Sequence, residues 1–213
     1  MQNLREPTDR NGWGSLDQTR DLWVFAYGSL VTPGQIERSI GRPVDGPTEC
    51  TTATLPSYRR AWNAGMRNCH TDPTDKYYVL PDGTRPNRTI SALGIEPDQE
   101  SSVNGVVFRV TRDELAALDR RERRYRRTDC SRQIVVDLPY PGEVFTYSPL
   151  ESAMSLTAAS QADGSDTISE TYKRLVEEGF ESLGPEAHAA YAASTDVPTS
   201  PVMPLRIQFP DGS

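Results

Sequence analysis

Leu22-Trp23-Val24-Phe25-Ala26-Tyr27-Gly28-Ser29-Leu30 decides how the rest of the chain is read. Its first six residues form an unbroken apolar, aromatic-rich run, which suits a buried strand, and Gly28-Ser29 stops that strand in a tight turn. Thr32-Pro33 then offers an N-cap followed by a proline at the first helical position, so a helix is expected over 34–40.

Outward from this strand-turn-helix unit, alternating or β-branched runs predict further strands at 49–54, 58–62, 77–80, 89–95, 105–110, 132–138 and 144–147. Pro81-Asp82-Gly83 and Pro141-Gly142 supply turn chemistry between apolar runs, so the sheet reads as mostly antiparallel. Residues 64–88 are polar and rich in Pro, Asn and Asp apart from the short 77–80 run, a length at which loops are usually functional or mobile. Residues 152–165, mostly small, read as a flexible linker. After them Ile168, Tyr172, Leu175, Val176, Gly179 and Phe180 recur at helical spacing, and Pro185 opens a second short helix through Tyr191. The expected organisation is a disordered leader at 1–20, one domain at 21–151, the linker, helices at 166–195 packed on the same domain, and a tail at 196–213.

Composition narrows the class. At 213 residues, with 36% hydrophobic and 25% charged, the chain is long enough for one sizeable core. No stretch approaches the roughly 18 apolar residues that span a bilayer. Residues 1–20 are polar where a signal peptide needs an apolar run, so a cytoplasmic chain is expected. A formal charge of −7 argues against a phosphate-backbone binder, and no aromatic platform accompanies the basic run at 120–127. Cys50, Cys69 and Cys130 show no CxxC spacing, and with only His70 and His188 to join them no zinc site is recognisable.

Chemistry concentrates at 111–125. Thr111 followed by Glu114 is a capping box, which starts a helix at about Arg112. Leu115, Leu118, Glu122 and Tyr125 then fall at intervals of three and four on one face, which carries Glu122 inward. A carboxylate on an apolar face raises its pKa unless paired, as a general base working near neutrality requires. Two other readings stand beside this one: a buried acid paired with a nearby arginine, and a helix that ends before Glu122 and leaves it in solvent. The arginines at 120–127 fill the remaining directions and read as a solvated face.

Phe25-Ala26-Tyr27-Gly28-Ser29-Leu30, Val103-Asn104-Gly105-Val106-Val107-Phe108 and Leu118-Asp119-Arg120-Arg121-Glu122-Arg123-Arg124-Tyr125 together, in this order and spacing, resemble the γ-glutamyl cyclotransferase superfamily. Tyr58-Arg59-Arg60-Ala61-Trp62-Asn63 also looks like a family strand, and the resemblance covers roughly 22–147. It implies an α+β fold, a small mixed or antiparallel β-barrel with flanking helices, and release of 5-oxoproline from γ-glutamyl compounds without metal or organic cofactor. The catalytic glutamate would fall on Glu122. The loop that holds the glutamyl group through backbone atoms would fall on Tyr27, Gly28, Ser29 and Leu30, with Tyr125 and Tyr147 as pocket tyrosines.

Several members read YGSN where this chain has Leu30, and the 64–88 insertion is unusual; both leave the leaving group open among γ-glutamyl peptides, γ-glutamyl amines, glutathione and biosynthetic intermediates. Ser29 reads as a turn-capping hydroxyl rather than a nucleophile, because neither histidine is spaced as its base. The competing reading is a non-catalytic module that binds a γ-glutamyl metabolite in the same pocket. The expected partner is a small-molecule γ-glutamyl substrate, with no nucleic acid or membrane, in a monomer or weak homodimer.

Overall fold

The computed structural model describes residues 19–209, so most of the leader expected at 1–20 lies outside the described residues. The opening run forms β1 (Asp21–Ala26). It lies between β4 (Thr89–Val110), antiparallel to it, and β6 (Gly142–Pro149), parallel to it. Alternate β1 residues enter two cores: Leu22, Val24 and Ala26 on one face, Trp23, Phe25 and then Tyr27 on the other. A strand covered on both faces reads as a continuous apolar run, because neither side of the pleat meets water.

β2 (Cys50–Arg67) pairs antiparallel with β4 along nearly its whole length. It merges the strands expected at 49–54 and 58–62. The Pro56-Ser57 break between them is a bulge, with a register shift and Ser57 at φ 63°, that bends the strand without ending it. β4 likewise joins the runs expected at 89–95 and 105–110. The sheet runs β5 (Tyr125–Asp129), β6, β1, β4, β7 (Asp166–Ser169), β8 (Val202–Met203), with β2 on β4 as a branch, an open order among the described residues. With its helices this makes a mixed α+β fold. The strand expected at 132–138 is reduced to one bridge, Val135 to Thr54, because a turn at 130–134 takes up its first residues.

α1 (Pro33–Ile40) follows the glycine turn as expected. The segment expected as a linker is instead α3 (Glu151–Asp163). Its small residues are its packing surface: Ala153, Thr157 and Ser160 are buried against β2, where Gly65 has no side chain to keep them away. β7 takes Ile168 into the sheet, so the next helix, α4 (Glu170–Ser182), starts two residues later than expected, capped by Ser169. α5 (Pro185–Ala193) follows it.

The expected tail is structured too. β8 extends the main sheet, Leu205 is fully buried, and β9 (Arg206–Gln208) pairs with β3 (Tyr77–Val79) from the 64–88 insertion. No helix among the described residues is long and apolar enough to cross a membrane.

Candidate active site

The end of β1 forms one wall of an open-mouthed pocket. Tyr27 is buried there, and its phenol donates to the Tyr147 carbonyl at 2.6 Å. Tyr147, on β6, donates in turn to Asp119 Oδ1 at 2.7 Å, and Asp119 Oδ2 accepts from Arg127 at 2.8 Å. Burial first, and then the Asp119 charge, push the Tyr147 phenol well above its ordinary pKa, so it remains a donor. Tyr125 donates to the Leu93 carbonyl at 2.8 Å.

The glycine turn is held from behind. Arg60, fully buried, donates through Nε to the Tyr27 carbonyl at 2.9 Å and through Nη2 to Asn104 Oδ1 at 2.8 Å, with its guanidinium 4.7 Å from the Phe180 ring centre. At Gly28 a Cβ would come within 3.3 Å of the Tyr172 hydroxyl, so a bare backbone fits best there. The Gly28 amide has no acceptor among the described residues. No side-chain hydrogen bond caps the short turn that Gly28 opens.

Glu122 reaches the same pocket by a route that differs from the helical face expected. The capping box forms as read, with Glu114 N donating to Thr111 Oγ1 at 3.2 Å and Thr111 N to Glu114 Oε2 at 2.7 Å. α2 (Arg112–Arg121) buries Leu115 and Leu118, but it ends one residue before Glu122, which caps it at φ −89°, ψ 45°. Tyr125 opens β5 instead of continuing the helix. Glu122 nevertheless lines the pocket with its side chain only 16% exposed and paired with Arg121. Both alternative readings are thus partly met: the helix stops first, and an arginine pairs with the acid.

The arginine run is less solvated than expected. Arg127 is buried against Asp119, because β5 turns its side chain under α2. Arg123 pairs with Asp72 at 2.8 Å and Arg124 pairs with Asp75, which pins residues 72–75 of the insertion beside Glu122. Lys76, next in the chain, lines the pocket. Every residue singled out from the sequence, Tyr27, Gly28, Ser29, Leu30, Glu122, Tyr125 and Tyr147, borders this one cavity. Sequence reading missed Arg60, Lys76 and Tyr172. Tyr172 carried a helical signal that reads equally as core, and Lys76 sits in a polar stretch without periodicity.

Among the described residues no cluster of three or more His, Cys, Asp or Glu could hold a metal ion. Comparison with known proteins adds the following. A solution structure from Arabidopsis thaliana is 26% identical, covering 65% of this chain and 75% of its own, with a TM-score of 0.39. A structure titled gamma-glutamyl cyclotransferase is 16% identical over 85% of this chain and 93% of its own (TM-score 0.47). An uncharacterized protein from Homo sapiens is 17% identical over 86% and 94% (TM-score 0.46). No curated protein matches. The model of one family, gamma-glutamyl cyclotransferase, AIG2-like, matches residues 24–167, from within β1 into β7. A match over that much of the sequence means that this chain belongs to the gamma-glutamyl cyclotransferase, AIG2-like family.

Proposed function

We propose that the protein is a γ-glutamyl cyclotransferase in which the α-amine of a γ-glutamyl group attacks its own γ-carbonyl, releasing 5-oxoproline and a free amine or amino acid. The observation that supports this reading is that Glu122 and Gly28, whose amide has no acceptor among the described residues, border one pocket. The reaction needs no external nucleophile, which suits a pocket where Ser29 has no partnered base. Two protons must pass from the α-ammonium to the departing nitrogen as one C–N bond forms and the other breaks. Glu122 carries them in turn, first as base and then as acid. In this reading the Gly28 amide donates to the carbonyl oxygen as charge develops on it. Folding the glutamyl chain into ring-closing geometry draws on orientation, which is worth on the order of 7–11 kcal/mol in intramolecular reactions.

The test is mass-spectrometric detection of 5-oxoproline after incubation with γ-glutamyl peptides, γ-glutamyl amines and glutathione. Wild type should release it, and Glu122→Gln, folded by circular dichroism, should release it about 10²–10⁴-fold more slowly. Equal turnover in the variant removes Glu122 from the reaction. Binding without turnover in the wild type would turn the reading into that of a metabolite-binding module.

A further inference from the structure

Four cationic side chains border the pocket: Lys76, Arg121, Arg123 and Arg124. Three have acidic partners, Arg121 with Glu122, Arg123 with Asp72 and Arg124 with Asp75. The Lys76 ammonium makes no ion pair or hydrogen bond among the described residues; its backbone carbonyl alone is engaged, accepting from His70 Nε2 at 2.9 Å. The pocket therefore carries one uncompensated positive charge, beside the acid assigned to catalysis. Burial, followed by the Arg121 guanidinium, lowers the Lys76 pKa, with Arg124 adding to the effect and Glu122 and Asp75 opposing it. A sheltered ammonium with no carboxylate in direct contact is costly, and an anion that enters the pocket and meets it lowers that cost.

Lys76 is also held in place. Its segment is fastened to the 121–124 turn by the Asp72–Arg123 pair, supported by Arg123 donating to Thr74 Oγ1 at 3.1 Å, and by the Asp75–Arg124 pair. On its other side the β3–β9 pairing and the buried Tyr78 anchor the chain. The insertion thus carries a single cation into the cavity on a braced support, which favours recognition of a charged group over a loose surface contact.

We infer that Lys76 is a substrate-binding cation that takes a carboxylate of the substrate. The inference rests on the cyclotransferase reading for what the substrate is, not for its charge. A γ-glutamyl compound offers two sources: the α-carboxylate of the glutamyl group, present in every candidate, and the carboxylate of a departing amino acid or peptide, absent from γ-glutamyl amines.

The experiment compares wild type, Lys76→Met, which keeps length and loses charge, and Lys76→Arg, which keeps charge. KM is measured for γ-glutamylalanine and for γ-glutamylmethylamide. Calorimetry follows binding of glutarate, a dicarboxylate without an amine that cannot cyclise. Lys76→Met should weaken glutarate binding and raise KM on the order of 10- to 100-fold, with most of the loss recovered in Lys76→Arg. A rise for both substrates assigns the glutamyl α-carboxylate, and a rise for γ-glutamylalanine alone assigns the departing group. Unchanged KM for both substrates overturns the inference while leaving the cyclotransferase reading intact. If no substrate turns over, loss of glutarate binding in Lys76→Met sustains the inference without that reading. Glutarate that fails to bind the wild type, or binds the variant equally well, then overturns it.

Discussion

Arg60 shows how much of the pocket depends on a side chain outside it. Its guanidinium reaches the Tyr27 carbonyl, Asn104 on β4, and Ser194 Oγ at 2.6 Å just beyond α5, and it lies against the stacked rings of Phe180 and Tyr191. Burial pulls its pKa down to about 9, which still leaves it charged at neutral pH. It has no carboxylate among these partners, so its charge is held by carbonyl and hydroxyl dipoles and by aromatic faces. Arg60→Met removes the donor from the Tyr27 carbonyl and leaves buried acceptors unpaired, at a cost of about 2–4 kcal/mol. At about 2–4 °C per kcal/mol for a chain of this size, the melting temperature should fall by roughly 5–15 °C. If the protein is the cyclotransferase proposed, 5-oxoproline release should fall on the order of 100-fold even below the new melting point, because the glycine turn loses its brace. A variant that loses stability but keeps full turnover would show that the turn holds its shape without Arg60.

At the level of elements, what could be read from the sequence was what the sequence encodes locally. β1 announced itself because both of its faces are buried. The capping box announced α2 because its two reciprocal bonds lie within four residues. α3 could not be read that way: Ala153, Thr157 and Ser160 carry little apolar surface, and the fit of Ala153 and Thr157 depends on Gly65, about ninety residues away. The same holds for Arg123 and Arg124, whose acidic partners lie 51 and 49 residues back in the insertion. Glu122 reached the pocket although the helix meant to carry it stops first, because the cap at Glu122 turns the chain directly into β5. The Gly65 contact is testable by itself. A Cβ there would lie 2.6 Å from Thr157 Oγ1 and 3.1 Å from the Ala153 carbonyl, so Gly65→Ala forces α3 away from β2. The expected loss is about 1–3 kcal/mol, read from thermal unfolding. Thr157→Ala in the same chain should recover part of it, since the nearest obstacle is then gone; no recovery would place the strain on the helix backbone.

Across the molecule, sheet and helices shelter six tyrosine hydroxyls, five of them bordering one pocket, and this sets the alkaline limit of the fold. Burial, the largest cause in each case, raises the pKa of Tyr27, Tyr125, Tyr147 and Tyr172 well above the usual phenol value and brings Tyr78 and Tyr191 to about 12. Burial likewise lifts the Cys50 thiol to about 11 and the Cys130 thiol to about 12. In the unfolded chain these groups ionise near 10 and 8.5. Below those values both states hold the same protons and the stabilisation is fully present. Above them the unfolded chain releases protons that the folded chain keeps, so stability is lost as pH rises, by about 1.4 kcal/mol per pH unit for each such group. Lys76 and Arg60, with lowered pKa values, act in the opposite direction, but they are two groups against eight. The urea midpoint should therefore decline from about pH 9 and fall steeply above about pH 10. Phenolate absorbance from these six tyrosines should rise together with the loss of the circular dichroism signal. Phenols that titrate near 10 while the fold persists would mean that the pocket opens to water without unfolding, and the hydrogen bonds from Tyr27, Tyr125 and Tyr147 would then no longer account for its shape.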